Sequence, residues 1–196
     1  MTKQELRPQA LEAVDTLLQY IGENPEREGL IETPERVIKS YDEIFGGYKM
    51  EPSRILKTFR DGSESVDEMV IQRNIHFFSM CEHHMIPFFG VAHVAYVPEK
   101  EIVGLSKLAR LVEVYARRLQ VQERMTTQIT QALMTHLKPK GAACVIQATH
   151  LCMVQRGIKK HQSDTITSSL EGVFRSGKTR AEYLNLIGLN FVNPIS

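Results

Sequence analysis

Apolar residues recur at two different spacings along the chain, and the change from one to the other divides it. Leu11, Val14, Leu17, Leu18 and Ile21 return every three or four positions, the period of one helix face, and Gly22 with Asn24-Pro25 closes that segment. Thr33-Pro34-Glu35 predicts the start of a second helix. The threonine oxygen can cap it, the proline lacks an N–H that would go unpaired there anyway, and the glutamate suits the positive end of the helix dipole. Val37, Tyr41, Ile44 and Phe45 give this helix an apolar face, and Gly46-Gly47 ends it ahead of the polar stretch DGSESVDE.

From Met69 the pattern becomes extended. Residues 69–78 and 88–97 are rich in Val, Ile and Phe, and the loop SMCEHHMIP joins them, which predicts an antiparallel pair. Between Ser106 and Leu137 there is neither Gly nor Pro, and the apolar positions keep helical spacing throughout. A single helix of that length would be about 48 Å long, too long to lie on ordinary strands, so two helices are predicted with a break near Val121-Gln122-Glu123. Residues 142–154 and 164–174 read as two further strands and Lys178 to Ile187 as a closing helix. The predicted organisation is a helical region over 1–66, an α+β domain of order β-β-α-α-β-β over 67–190, and a short tail over 191–196.

Composition narrows the picture. In 196 residues, 42% hydrophobic content is ample for a core and excludes a disordered chain. Twenty-four Lys plus Arg against 23 Asp plus Glu leave a net charge of +1, without the basic excess of a nucleic-acid binder, so any anion site must be local. No apolar run approaches the roughly 18 residues of a membrane span, and the start MTKQELRPQ is polar, so the expected location is the cytoplasm, with neither membrane nor nucleic acid as partner. Cys81, Cys144 and Cys152 are an odd set in such a chain, which points to metal ligation or free thiols rather than a disulfide framework.

The segment Cys81-Glu82-His83-His84 places a thiol and an imidazole three residues apart, a chelating unit for a borderline-soft cation; alone it also reads as surface histidines beside an incidental cysteine. His150 and Cys152 lie two apart in an extended run, and an unbroken strand would turn both to one face. Cys144 is eight residues from Cys152, about 26 Å along a strand, and reads as core. Cys81, His84 and Cys152 then make a Cys2His zinc site with a position left for water, and His83 and His150 remain as proton carriers. Ser106 can cap a helix whose N-terminal N–H groups face outward, with Lys107 and Arg110 beside it. That is either an anion site or an ordinary capped helix with solvated charges. Arg36, Lys39 and Arg156 are further cations, each alone a plain surface charge. Glu123, beside Gln122 at the predicted break, can offer two acceptors to a guanine edge or simply face solvent. His76, His93, His136 and His161 have no ligand spacing and read as structural.

Five ordered segments carry a resemblance: ETPERVIKSYDEIFGGY, FFSMCEHHMIPFFGVAHVAYVP, VGLSKLARLVEVYARRLQVQERMTTQI, ATHLCMVQRGI and TITSSLEGVF. Together they span most of residues 30 to 186, and the chain they describe resembles the GTP cyclohydrolase I family. The resemblance implies the tunnelling fold, with subunits joining their sheets into a β-barrel, a homodecamer, and active sites between subunits. It makes Cys81, His84 and Cys152 the Zn2+ ligands and His83 and His150 the acid/base pair. Glu123, with Gln122 beside it, would hold the guanine of the substrate GTP. Ser106, Lys107, Arg110, Arg156 and Lys39 would grip the triphosphate, with Arg36 a weaker candidate. The implied reaction is attack of zinc-activated water on C8, ring opening, release of formate and closure to 7,8-dihydroneopterin triphosphate, the first step of tetrahydrofolate and pterin biosynthesis. Two readings compete with it. A purely structural zinc module predicts a fourth protein ligand, Glu82 or His83; a nucleobase deaminase would need a P-C-x-x-C segment that is absent. Reductases of the same fold remain compatible by fold alone.

Overall fold

The computed structural model describes residues 1–60 and 66–188, so the expected tail at 191–196 lies outside the described residues. Two compact units divide the chain, Met1–Gly46 and Gly47–Ser196. The first is a pair of helices, α1 (Lys3–Tyr20) and α2 (Thr33–Ile44). Thr2 and Glu5 form a reciprocal capping box at the start of α1, and the ion pairs Lys3–Asp42 and Arg7–Glu35 tie the helices to each other. Thr33 is the first residue of α2 rather than its cap; Glu32 takes the cap position and makes no side-chain cap bond.

The division between these units falls at Gly46/Gly47. Segment 47–55 belongs with the second unit because Gly47 lies against the end of a helix there: its N–H donates to the Arg117 carbonyl at 3.0 Å, and a Cβ on it would stand 2.4 Å from the Val114 oxygen. This unit runs α3 (Pro52–Ile55), β1 (Thr58–Phe59), β2 (Val70–Cys81), β3 (Pro87–Val97), β4 (Ile102–Val103), α4 (Leu105–Ala116), β5 (Leu119–Gln120), α5 (Gln122–His136), β6 (Gly141–His150), α6 (Leu151–Val154), β7 (Thr165–Gly172) and α7 (Gly177–Ile187). The main sheet has the order β5-β2-β3-β6-β7, antiparallel except for the short parallel pairing of β5 with the end of β2. The α+β reading and the two long strand pairs hold, and the sheet is compatible with the tunnelling fold.

Alternation along the strands decides which face each helix covers. Ile75, Phe77, Phe88, Ala92, Val94, Cys144 and Ile146 turn to one face and pack against Leu108, Leu111 and Val112 of α4 and Met125, Ile129 and Leu133 of α5. Each large apolar side chain withdrawn in this way contributes about 1.5–3 kcal/mol. On the other face Ala95, Val97, Ala143 and Val145 meet Phe174 and, from α7, Tyr183 and Ile187. Cys144 is fully buried in the first core, as expected, and burial pushes its thiol far up.

The long helical pattern does break in two, but upstream of the predicted place. α4 stops at Ala116, and residues 119–120 leave the helical path to pair with Met80 and Cys81. Arg118 secures this exit: its guanidinium donates to the carbonyls of Gly47, Val114 and Met50 and lies near the rings of Tyr48 and Tyr115. No helix among the described residues is long and apolar enough to cross a membrane.

Candidate active site

Three strand ends meet at one end of the sheet: the end of β2, the start of β3 and the end of β6. Cys81 is the last residue of β2, so it stands on the sheet itself rather than in the loop. The loop that follows is tight. The Cys81 carbonyl accepts from Met85 N–H at 2.8 Å and from His84 N–H at 3.4 Å, Cys81 N–H donates to Ile86, and Met85 takes the left-handed conformation at φ 52°. This turn folds His84 back toward Cys81.

Cys152 reaches the same place by a route its spacing did not suggest. β6 ends at His150, and Leu151–Val154 form one helical turn, so His150 and Cys152 do not share a strand face. The physical reason is the loss of partners. β7 pairs with β6 only as far as Ala148, and β3 only as far as His150; beyond that the backbone meets its hydrogen-bonding needs locally, as in Gln155 N–H to the Leu151 carbonyl at 2.8 Å. The turn brings a ligand atom of Cys152 to within 4.8 Å of those of Cys81 and His84.

The donor set fits zinc. A tetrahedral ion with bonds of about 2.0–2.3 Å holds its ligand atoms about 3.8 Å apart or less, a small contraction of the observed cluster. Burial raises the pKa of Cys152, the adjacent Cys81 raises it further, and Arg156 opposes both. Two thiols side by side resist losing both protons, and a divalent cation between them removes that resistance. Arg156 also places Nη1 3.0 Å from Nε2 of His84, which must accept because a guanidinium only donates. His83 lies alongside, with Nδ1 3.8 Å from the Cys81 sulfur.

Glu82 is otherwise engaged. Its carboxylate takes both terminal nitrogens of Arg124, whose Nε donates to Gln120 Oε1, while the Glu82 N–H donates to the Gln120 carbonyl at 3.0 Å. Arg124 holds the Glu82 carboxyl below its ordinary pKa, first by hydrogen bonding. Sequence reasoning missed this clasp because its partners stand 42 residues apart with no local signal.

His150 sits beside the cluster. Its ring stacks on Phe88, its cross-strand neighbour, with centroids 4.6 Å apart and planes 2° from parallel. Its Nε2 lies 2.8 Å from Oε1 of Gln122. Burial lowers its pKa and the Glu123 carboxylate opposes that shift. Glu123 is exposed in the first turn of α5, whereas Gln122 is 1% exposed and its amide nitrogen lies 2.9–3.1 Å from Ile146 O, Thr165 O and Thr167 Oγ1. The side chain of Gln122 is thus spent on protein partners, and Glu123 is the one of the pair whose side chain is exposed.

The cations divide into groups. Arg156 belongs to the cluster. Ser106, Lys107 and Arg110 lie in the first two turns of α4, where Gly104 is the cap; Ser106 is the second helical residue and makes no cap bond, contrary to its predicted role. Their side chains have no hydrogen bond or ion pair to another described residue. Lys39 and Arg36 are exposed on α2 of the first unit, Arg36 paired with Glu32.

A five-stranded sheet backed by two helices, with two thiols and an imidazole converging at its end beside further histidines, defines an α+β protein carrying a cluster able to hold a metal. The chain belongs to the GTP cyclohydrolase I family, whose model matches residues 10–188. It is 52% identical over 178 residues to GTP cyclohydrolase 1 of Wolinella succinogenes, covering 90% of this chain and 94% of that protein. Identity is 58% over 176 residues with GTP cyclohydrolase 1 of Chlorobium chlorochromatii, covering 89% and 78%. With that of Campylobacter lari it is 52% over 177 residues, covering 90% and 93%. Among solved structures, the apo archaeosine synthase QueF-Like aligns with 53% of this chain and 93% of its own at a TM-score of 0.44 and 12% identity, too slight a likeness to carry argument. Family membership makes the chain an enzyme, a GTP cyclohydrolase.

Proposed function

We propose that the protein is a zinc-dependent GTP cyclohydrolase I, which converts GTP and water to formate and 7,8-dihydroneopterin triphosphate at the head of tetrahydrofolate and pterin biosynthesis. The observation that carries this reading is the convergence of Cys81, His84 and Cys152 within 4.8 Å, flanked by His83 and His150. Zinc held there supplies activation of water and stabilisation of developing negative charge. His83 and His150 move protons to and from the ring and the leaving groups, His150 with its pKa lowered by burial. The Glu123 carboxylate accepts from the guanine N–H edge, and main-chain N–H groups opening α5, among them that of Gln122, donate to its oxygen. Ser106, Lys107, Arg110, Arg156 and Lys39 hold the triphosphate, some of them supplied by a neighbouring subunit, with Arg36 as a weaker candidate; the uncapped N–H groups of α4 favour the part played by Ser106, Lys107 and Arg110.

A structural zinc module is less well supported, because Arg124 occupies the carboxylate of Glu82 and leaves His83 as the one expected group to complete it. The homodecamer proposed with this function draws support from the sheet: Phe78 is 72% exposed against Phe89, Ile166 is 41% exposed, and β7 pairs only with β6 among the described strands. The test is to incubate purified protein with GTP, with and without a zinc chelator, and follow formate and dihydroneopterin triphosphate together. Both products, lost on chelation and restored by zinc, are expected; zinc retained without turnover would return the cluster to a structural role.

A further inference from the structure

We propose that Gln122 is a positioning residue for His150: its side-chain amide fixes the ring so that Nε2 is tied to the protein and Nδ1 is left for proton exchange. The inference rests on the proposed acid/base role of His150.

Stacking on Phe88 sets the plane of the His150 ring but not which of its two faces meets Phe88, since a 180° flip about Cβ–Cγ leaves the flat contact almost unchanged while exchanging ring nitrogens with carbons. The 2.8 Å contact between His150 Nε2 and Gln122 Oε1 supplies the missing constraint. The end of the Gln122 amide that faces the ring is itself determined. Its nitrogen lies 3.0 Å from the Ile146 carbonyl and 2.9 Å from the Thr165 carbonyl, groups that can only accept. Turning the amide over would set an oxygen against two oxygens in a site where Gln122 is 1% exposed.

Hydroxyls close the circuit. Thr126 Oγ1 donates to the Gln122 carbonyl at 2.7 Å, so its 2.6 Å contact with Thr167 Oγ1 must have Thr167 as donor. Thr167 Oγ1 is then free to accept from the Gln122 amide at 3.1 Å. The two amide hydrogens are committed to the Ile146 and Thr165 carbonyls, one of them shared with Thr167 Oγ1, while the Thr126 bond ends on the main-chain carbonyl of Gln122. With Oε1 as the acceptor, His150 Nε2 carries a hydrogen, and Nδ1 has no hydrogen-bond partner among the described residues.

The same geometry separates two jobs that adjacent residues could share. Glu123, exposed on the first turn of α5, can meet a substrate, whereas the buried side chain of Gln122 acts only through His150.

A double-mutant cycle on the full-length, zinc-loaded protein tests this, with kcat, equilibrium GTP affinity and zinc content measured for each variant. Gln122→Met, which keeps length but removes both hydrogen-bonding groups, is expected to lower kcat roughly 10- to 100-fold, to change GTP affinity less than about 3-fold and to leave zinc content intact. In a His150→Asn background the same change should lower kcat less than about 3-fold further, because the residue it serves is gone. Weakened GTP affinity with kcat preserved at saturation, or losses that multiply in the double variant, would overturn the proposal. Should Gln122→Met fail to fold, the near-isosteric Thr167→Val breaks the circuit one link away and should lower kcat roughly 3- to 10-fold with GTP affinity unchanged; an unaltered kcat would equally overturn it. A His150→Asn variant with full activity would instead remove the acid/base reading on which this rests.

Discussion

Two imidazoles stand in the same five-stranded sheet, both withdrawn from water and both held by burial below the ordinary histidine pKa, yet their surroundings leave them free to do different things. His93 lies mid-strand in β3 opposite Val145 and is 4% exposed. Its Nδ1 accepts from Asn74 N–H at 3.4 Å, where β2 bulges between Gln72 and Ile75 and Asn74 takes φ 57°. Its carbonyl accepts from the Tyr183 hydroxyl at 2.8 Å, and the charge of Arg73 lowers its pKa further. His150 ends its strand instead, stacked on Phe88, with one nitrogen on Gln122, an acidic residue nearby and the cluster of Cys81, His84 and Cys152 two residues on. Burial alone therefore does not mark a functional histidine. In the proposed reading, it is the strand end, where the ladder of backbone partners runs out and side chains from three elements converge, that turns the His150 ring toward chemistry.

The comparison breaks most readily at the metal. Removing one thiol by Cys152→Ala should lower zinc affinity roughly 1,000-fold or more and abolish turnover with it, read by zinc content after dialysis and by formate release. Retained zinc with full activity would take the cluster out of the site. Next, His150→Asn should keep zinc but lower kcat roughly 100- to 10,000-fold, the range for a lost general acid or base, whereas His93→Asn should change kcat less than about 3-fold. Equal losses in the two variants would mean that the two rings had been wrongly distinguished.

A smaller effect is expected from the clasp beneath the loop. Arg124→Met keeps the aliphatic stem but frees Glu82 and loosens Gln120, so the turn carrying His84 loses an anchor. Zinc affinity should fall about 10-fold, measured by competition with a chromogenic chelator, while kcat of the zinc-loaded enzyme changes less. An unchanged affinity would show that the hydrogen bonds of the Cys81–Ile86 turn suffice on their own.

Much of this was legible in the sequence, though not always for the right reason. The two long strand pairs, the divided helix and the α+β class followed from periodicity, because each of these elements buries one clear face. Cys81, His84 and Cys152 do converge as their grouping predicted, yet the argument that Cys152 shares a strand face with His150 fails, since the chain turns helical at Leu151. The cluster forms because that turn carries Cys152 sideways, a consequence of which strands run out where, and pairing of that kind is a property of the sheet rather than of any segment. Caps were misplaced by one or two residues at Thr33 and Ser106, where cap and first-turn residues have similar preferences. Gln122 was placed beside Glu123 at the guanine by the resemblance; only the positions of Ile146, Thr165 and Thr167 show where its side-chain amide is directed.

The smallest expected effect concerns His93 and stability rather than rate. In the unfolded chain this histidine takes up a proton near pH 6.5, but in the folded protein burial, and secondarily the charge of Arg73, push that uptake to lower pH. Between the two pKa values the unfolded state binds more protons than the folded one, so stability rises with pH across that window. The contribution is intact above about pH 6.5, drains away as the pH falls toward the folded pKa, and changes no further below it. His93→Asn keeps an acceptor for the Asn74 N–H but removes the titration. Between pH 7.5 and 5.5 the Tm of the parent protein should therefore fall by roughly 1–3 °C more than that of the variant, measured by calorimetry at matched protein concentration and ionic strength. Identical slopes would mean that His93 is protonated as easily in the folded protein as in the unfolded chain, and the two rings would then no longer share the effect of burial from which the comparison starts.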